Sequence, residues 1–244
     1  MEKYGPATYG DRIADVYDEW YGEADFLETA ASVDELAKLA GPGPALELAI
    51  GTGRVALPLT ERGVEVHGVD ASERMVARLR EKPGGERIPV TIGDFADVPV
   101  DGRYRLIYVV FNTFFALTSQ DDQVRCFENI AAHLAPNGVF AMDVFVPDPA
   151  RFAGGKISVG EIGEDLLRLD TTKLDPVTQT SRSQHVVLTP NGATFYPVEV
   201  RWAYPPELDL MARLAGLRLQ ERWENWRRDP FTAESRQHVS VYGR

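Results

Sequence analysis

The sequence predicts an α/β protein: a doubly wound, mostly parallel seven-stranded sheet with an N-terminal helical cap and an inserted antiparallel β meander. Two observations carry this expectation. Between residues 45 and 146, short apolar runs alternate with helical stretches, and strands joined by right-handed crossovers build a parallel sheet covered on both faces. After Pro147 the rhythm changes to β-rich runs separated by Asp175-Pro176 and Pro190-Asn191-Gly192, and Asn-Gly supplies the positive torsions of a tight hairpin.

Taken in order, Ile13, Val16, Tyr17 and Trp20 recur at helical spacing within 11–21, and a second helix is expected over 24–40. Gly41-Pro42-Gly43-Pro44 stops that helix, and 45–50 reads as the first, buried strand. Residues 64–69, 88–92, 104–111 and 139–146 read as further strands. Helices fall over 72–82, with Ser72 as N-cap, and over 120–134, ended by Pro136-Asn137-Gly138. Three meander strands are expected at 166–174, 179–189 and 193–204. A helix opened by Pro206-Glu207 presents Leu208, Met211, Leu214 and Ala215 and stops at Gly216, followed by strands over 217–226 and 237–242. The chain is thus read as one domain: a cap over 1–40, a core over 41–150 and 204–244, and the meander over 151–203, on the substrate side or at an interface.

Composition narrows the partners. With 244 residues, 44% hydrophobic and 26% charged, the chain can bury a core of its own. Its 37 acidic and 26 basic side chains leave a net charge of −11, which repels a phosphate backbone and speaks against nucleic acid. No apolar run reaches membrane-spanning length and residues 1–10 are polar and aromatic, so a cytoplasmic protein is expected. Cys126 is the only cysteine; it excludes an intrachain disulfide and reads as a small buried helix residue. No His/Cys/Asp spacing suggests a metal.

The most informative stretch is Leu46-Glu47-Leu48-Ala49-Ile50-Gly51-Thr52-Gly53-Arg54, where the first strand turns toward a helix. Glycines there permit tight torsions and let a ligand touch the backbone. Seventeen residues after Gly53, Asp70 closes the second strand, where a carboxylate can accept both hydroxyls of a ribose. An adenosine-type cofactor at the switch point of the sheet follows. Gly51-x-Gly53-x-x-Ala56 also satisfies a loose dinucleotide fingerprint. Against that reading, Glu47 puts a carboxylate where a pyrophosphate would sit, and is more at ease beside a cationic ligand. Asp94, in Ile92-Gly93-Asp94-Phe95, can accept a hydrogen bond from an adenine amino group.

On these residues the chain resembles the class I S-adenosylmethionine-dependent methyltransferases. The likeness covers the core, about 150 residues, and implies a Rossmann-like methyltransferase sheet with S-adenosylmethionine as cofactor and a small-molecule acceptor. It implies that Glu47 and the glycine loop hold the methionine part, Asp70 the ribose and Asp94 the adenine. Tyr17, Ala49, Arg54, Ala71, Met75, Phe95 and Phe111 complete the expected cofactor contacts. Ala49 departs from the family, which often has its first glycine there. The meander and tyrosine-rich leader are similar to small-molecule members, including sugar N-methyltransferases.

Methyl transfer from a sulfonium is an in-line displacement, so rate comes from alignment and from excluding water. An amine acceptor need only arrive deprotonated, whereas a hydroxyl acceptor benefits from a base. Candidates for the acceptor side are Asn112, Phe114 and Phe115 beyond the fourth strand, and Asp143 and Phe145 on the fifth. Tyr9 and Tyr17 are candidates for a lid. His67, His133 and His238 read as structural, whereas His185, on the meander, could face the substrate. Trp202, Trp223 and Trp226 with Arg201, Arg227 and Arg228 gather in the C-terminal third, and Arg201 and Trp226 are carried forward as substrate candidates. Asn112, Asp143 and His185 are the catalytic candidates. Two other readings stay open: an NAD(P)-dependent oxidoreductase, and a protein that binds S-adenosylmethionine without catalysis. The meander also offers edges through which a homodimer could form. Asn112-Thr113-Phe114-Phe115 lacks the Asn-Pro-Pro-aromatic signature of many base N-methyltransferases.

Overall fold

The computed structural model describes residues 4–21, 26–152 and 155–244; the start of the helix expected at 24–40 lies outside them. The leader forms α1 (Thr8–Ile13) and α2 (Tyr17–Tyr21), two short helices where one was expected. Helix α3 (Phe26–Ala40) buries Val33, Leu36 and Ala40 against one face of the main sheet.

The core then alternates β1 (Ala45–Leu48), α4 (Ala56–Glu61), β2 (Val66–Asp70), α5 (Glu73–Glu81), β3 (Val90–Ile92), β4 (Tyr104–Val109), α6 (Gln120–His133) and β5 (Leu134–Phe145). Ser72 caps α5 as expected, its Oγ accepting from Met75 N–H at 3.1 Å. Strand β5 begins earlier than expected, because Leu134 pairs with Tyr104 before the register breaks across Pro136-Asn137-Gly138. Cys126 is buried in α6.

The meander has four strands, not three: β6 (Lys156–Ile162), β7 (Leu167–Asp175), β8 (Thr180–Thr189) and β9 (Gly192–Arg201) form a separate antiparallel sheet in that order. Strand β6 escaped notice because its alternation is blunted: Ile157, Val159 and Ile162 are all exposed. The core closes with α7 (Pro205–Leu214), β10 (Arg218–Trp223) and β11 (Gln237–Gly243). Helix α7 buries Leu208, Met211 and Ala212, whereas Leu214, expected inside, is 65% exposed.

The main sheet runs β10-β11-β5-β4-β1-β2-β3. Strand β11 lies antiparallel to both neighbours, and the pairs among β1 to β5 are parallel. The order reverses between β1 and β4, and a crevice opens there beyond the strands' carboxyl ends. One apolar layer, with Phe114, Phe127 and Phe140, lies on the side of α6 and α7; the other, with Leu36, Leu59 and Trp226, lies under α3 and α4.

Candidate active site

The first wall of the crevice is the turn after β1. Ala49, Gly51 and Gly53 all take positive φ, at 58°, 57° and 77°. Glycine does so freely, but an alanine there costs about 1–2 kcal/mol, so the departure at Ala49 is stored as strain. Asp70 ties this turn to β2: its carboxylate accepts from Gly51 N–H at 2.7 Å and from Ser72 N–H at 2.8 Å. Burial pushes its pKa up, opposed by those two hydrogen bonds. Glu47 lies deeper, 3% exposed, and accepts from the Tyr108 hydroxyl at 2.9 Å. Desolvation drives its pKa up to about 8, with the Tyr108 hydrogen bond opposing and Asp70 adding to the rise. Asp94 accepts from Ala96 N–H at 2.9 Å after β3, with Phe95 beside it.

The leader covers this wall through three aspartates, Asp11 in α1, Asp15 in the turn between the helices and Asp18 in α2. Asp11 accepts from Ser72 Oγ at 2.6 Å, Asp15 pairs with Arg74 and Arg78 at 2.6 and 2.7 Å, and Asp18 accepts from Thr52 Oγ1 at 2.6 Å and pairs with Lys82 at 2.8 Å. Gly10 permits the approach, since a Cβ there would stand 2.7 Å from that of Ser72. Together these parts enclose a cavity of about 370 Å³ lined by Tyr9, Tyr17, Glu47, Ala49, Gly51, Arg54, Asp70, Ala71, Met75, Asp94, Phe95 and Phe111. Every expected cofactor residue except Gly53 lines it. Gly53 packs instead toward α5, where a Cβ would meet the Leu79 side chain at 2.3 Å.

A second cavity, of about 320 Å³, shares Tyr9, Tyr17, Arg54, Phe111 and Thr113 with the first and adds Tyr21, Glu28, Asn112, Asp143 and Gln237. Its floor is a suture between β4 and β5. Phe111 and Asn112 both sit at positive φ, 57° and 64°, and the Asp143 residue accepts from both: its Oδ1 from Phe111 N–H at 2.7 Å, its carbonyl from Asn112 N–H at 3.1 Å. The Asn112 carboxamide oxygen accepts from Phe145 N–H at 2.6 Å, so that atom is spent on structure. Trp226 Nε1 donates to Asp143 Oδ2 at 3.2 Å. Desolvation drives the Asp143 pKa up to about 7, the Trp226 and Phe111 hydrogen bonds opposing and Glu28 adding. Burial lifts Tyr17 to about 12 and Tyr9 well above its ordinary value, so both phenols stay protonated near neutrality.

The remaining candidates fall elsewhere. Phe115 is fully buried and packs edge-on against Phe145 at 5.0 Å. Arg201 is buried with Glu207 at 2.7 Å and Gln123 at 2.6 Å, a matched charge outside the lining of either cavity. Trp226 stands behind Asp143, in reach of its carboxylate. His185 lies on the meander, 2.5 Å from Asp170, and lines a third cavity together with Phe145. The expected Trp–Arg cluster assembles only in part: Arg228 stacks over the Trp223 ring at 4.1 Å in the layer that also holds Trp226, whereas Trp202 packs in the other layer and Arg201 is paired elsewhere. The other histidines hold structure: His67 meets Tyr104 Oη at 3.2 Å, His133 meets the Val100 carbonyl at 2.9 Å, and burial pushes His238 down to about 3.

Residues 45–138 match the family model described as a methyltransferase domain. The chain is 32% identical over 203 residues to the cypemycin N-terminal methyltransferase of a Streptomyces species, covering 82% of each chain. The chain belongs to the class I S-adenosylmethionine-dependent methyltransferases. The solved CcbJ methyltransferase of Streptomyces caelestis superposes with a TM-score of 0.91 at 42% identity, covering 98% of each chain. A Saccharopolyspora spinosa dTDP-4-amino-2,3,4,6-tetradeoxy-D-glucose N,N-dimethyltransferase is 27% identical, over 76% of each chain. The protein is therefore an enzyme that transfers a methyl group from S-adenosylmethionine; the oxidoreductase and non-catalytic readings find no support.

Sequence reasoning missed Tyr21, Glu28 and Thr113, which no local motif marks. It also missed the docking role of Asp11, Asp15 and Asp18, although their spacing opposite Arg74 and Arg78 was a readable signal.

Proposed function

We propose that this methyltransferase methylates an amine nitrogen on a small molecule, held in the second cavity. The observation that carries the reading is the pair of carboxylates, Asp143 and Glu28, on the acceptor side of the wall shared with the cofactor cavity. With Arg54 also facing that cavity, its ionised side chains sum to one negative charge, which suits a single ammonium. The names of the N-terminal and N,N-dimethyl relatives agree with nitrogen as the acceptor.

The first cavity fits the cofactor in its donor set: Asp70 retains acceptor capacity for ribose hydroxyls, Asp94 and Phe95 offer an edge and a face to adenine, and Glu47 offers its carboxylate to the cationic methionine end. When bound, S-adenosylmethionine supplies a methyl group on sulfonium sulfur, whose carbon–sulfur bond breaks as the new bond to nitrogen forms. Asp143 draws the acceptor's ammonium in and takes its proton, which frees the nitrogen lone pair. A carboxylate poised near pH 7 can both accept and release that proton. Tyr9, Tyr17 and Phe111 exclude water and align the nitrogen.

The test is transfer of labelled methyl from S-adenosylmethionine to matched amines and alcohols of the same carbon skeleton, with products read by mass spectrometry. N-methylated products from the amines are expected; methylation of the alcohols with the amines inert would overturn the reading. No described helix is long and apolar enough to cross a membrane; we assign the enzyme to the cytoplasm and its substrates to small molecules rather than to nucleic acid, given the net charge. A homodimer is proposed through the outer face of the meander, where Ile157, Val159, Leu188 and Phe195 are exposed. Sedimentation of the wild type and of Phe195→Asp checks it: a dimer that becomes a monomer is expected, and a monomeric wild type would exclude it.

A further inference from the structure

Residues 224–229, between β10 and β11, close on themselves. Glu224 N–H donates to the Asp229 carbonyl at 2.8 Å, Arg228 N–H to the Asn225 carbonyl at 3.0 Å, and the Asn225 carboxamide to Asp229 Oδ2 at 2.7 Å. Arg228 sits in this loop at a φ of 63°, a conformation that a non-glycine residue keeps only where its surroundings hold it. Its side chain supplies the hold: it stacks over the Trp223 ring at 4.1 Å, pairs with Glu221 at 2.9 Å and donates to Glu35 Oε1 at 2.7 Å. Glu35 is 2% exposed and also meets Lys38 at 3.0 Å; a buried carboxylate resists the loss of either partner.

Helix α3 carries Glu28 two turns before Glu35 and on the same side, where Gln237 Nε2 donates to it at 3.2 Å. The Arg228 clamp therefore sets loop and helix against each other, and each brings one group toward Asp143: the helix brings Glu28, the loop Trp226. The Trp226 indole N–H donates to Asp143 Oδ2 at 3.2 Å while Phe111 N–H donates to Oδ1 at 2.7 Å, so both oxygens are pinned and the carboxylate has one orientation. Each oxygen keeps a lone pair for a substrate proton. Trp226 is 4% exposed and lines neither the first nor the second cavity, so it reaches Asp143 without reaching an acceptor.

We infer that Trp226 is a positioning residue for the acceptor base: its indole N–H holds the Asp143 carboxylate ionised and in the orientation that receives the ammonium proton. In assigning that proton to Asp143 the inference rests on the amine reading above. The other polar groups around the same space are Glu28 of α3, Arg54 ahead of α4, the phenols of Tyr9, Tyr17 and Tyr21 in the leader, Asn112 and Thr113 after β4, and Gln237 of β11. Trp226 differs from the charged ones among them in being a neutral donor, so removing its N–H deletes one hydrogen bond and no charge. A bond made to the ionised form favours that form, and its loss leaves the base titrating at higher pH.

The test follows kcat/KM for an amine substrate against pH in the wild type, in Trp226→Phe and in Asp143→Asn. Trp226→Phe should move the ascending limb up by about one pH unit, so that the rate near the foot of the limb falls about tenfold while the plateau changes by less than about threefold. S-adenosylhomocysteine affinity should stay within about twofold. A tryptophan that only fills the core would lower stability and plateau and leave the limb in place. A second reading uses the wild-type fold: in full-length protein saturated with S-adenosylhomocysteine and labelled with nitrogen-15 at tryptophan, one indole N–H should titrate with a midpoint of about 7, and Asp143→Asn should abolish that titration. Should Trp226→Phe lose its fold, this titration decides, and an indole set that does not titrate would overturn the inference. A limb abolished by Asp143→Asn but unmoved by Trp226→Phe would also overturn it and leave the base in place. A limb that survives Asp143→Asn removes the base instead, and the role of Trp226 falls with it.

Discussion

The two halves of the crevice solve the same problem, a buried carboxylate beside a cation, in opposite ways. On the cofactor side, Glu47, Asp70 and Asp94 end consecutive parallel strands, and backbone N–H groups or a neighbouring hydroxyl hold each in place. On the acceptor side, Asp143 and Glu28 come from β5 and α3, and the tyrosines from the leader. The first arrangement is local to strand ends and is dictated by topology. The second exists only once distant segments have packed, and it leaves one carboxyl titrating near neutrality. On the proposed reading, a shared cofactor uses the former and a particular acceptor the latter.

The sharpest way to break the contrast is to neutralise the acceptor side alone. Asp143→Asn should lower kcat by about 10²-fold or more, the scale of a lost proton acceptor, while calorimetry finds the cofactor Kd unchanged within about twofold. Loss of cofactor binding instead would mean the halves are not separable. On the cofactor side, Asp70→Ala should remove the two ribose hydrogen bonds proposed for this carboxylate and weaken the cofactor by about 2–3 kcal/mol; unchanged affinity would remove Asp70 from the site.

Glu47 sharpens the comparison through pH. Its pKa is raised from 4.5 to about 8, so between those values the folded chain holds a proton that the unfolded chain has lost. The carboxyl therefore costs stability progressively as pH rises through that window. Glu47→Gln should stabilise the free protein at pH 8 by about 1–2 kcal/mol, read by urea unfolding, and weaken the cofactor. Cofactor affinity of the wild type should rise with pH up to about 8 and level off. The smallest effect belongs to Ala49→Gly, which relieves a left-handed alanine and should stabilise the fold by at most about 1 kcal/mol.

The same contrast explains what could be read from the sequence. Strand β1 with its glycine turn, Asp70 and Asp94 announce themselves through spacing along a rhythmic α/β chain, because parallel topology converts chain order into spatial order. Asp143 was marked by its place toward the carboxyl end of the fifth strand, the edge of an open α/β sheet that faces a ligand. Glu28 and Tyr21 could not be singled out, since their place depends on how the leader lies over the crevice. Strand β6 was hidden because its apolar residues face outward, and Arg201 resembled a substrate anchor until Glu207 and Gln123 were found to satisfy it. Gly53 illustrates a subtler limit: the motif required a glycine, but the requirement comes from its left-handed φ of 77° and from the Leu79 side chain packed against it rather than from the lining of the cofactor cavity.

The most direct test of the acceptor half is the pH dependence of kcat/KM for an amine substrate in the wild type and in Asp143→Asn. With Asp143 poised at about 7, the wild-type rate should climb as pH rises through that value, because the carboxylate must be ionised to take the ammonium proton. In the variant that ascending limb should vanish and the plateau fall. An unaltered limb in Asp143→Asn would show that some other group receives the proton and would contradict the assignment.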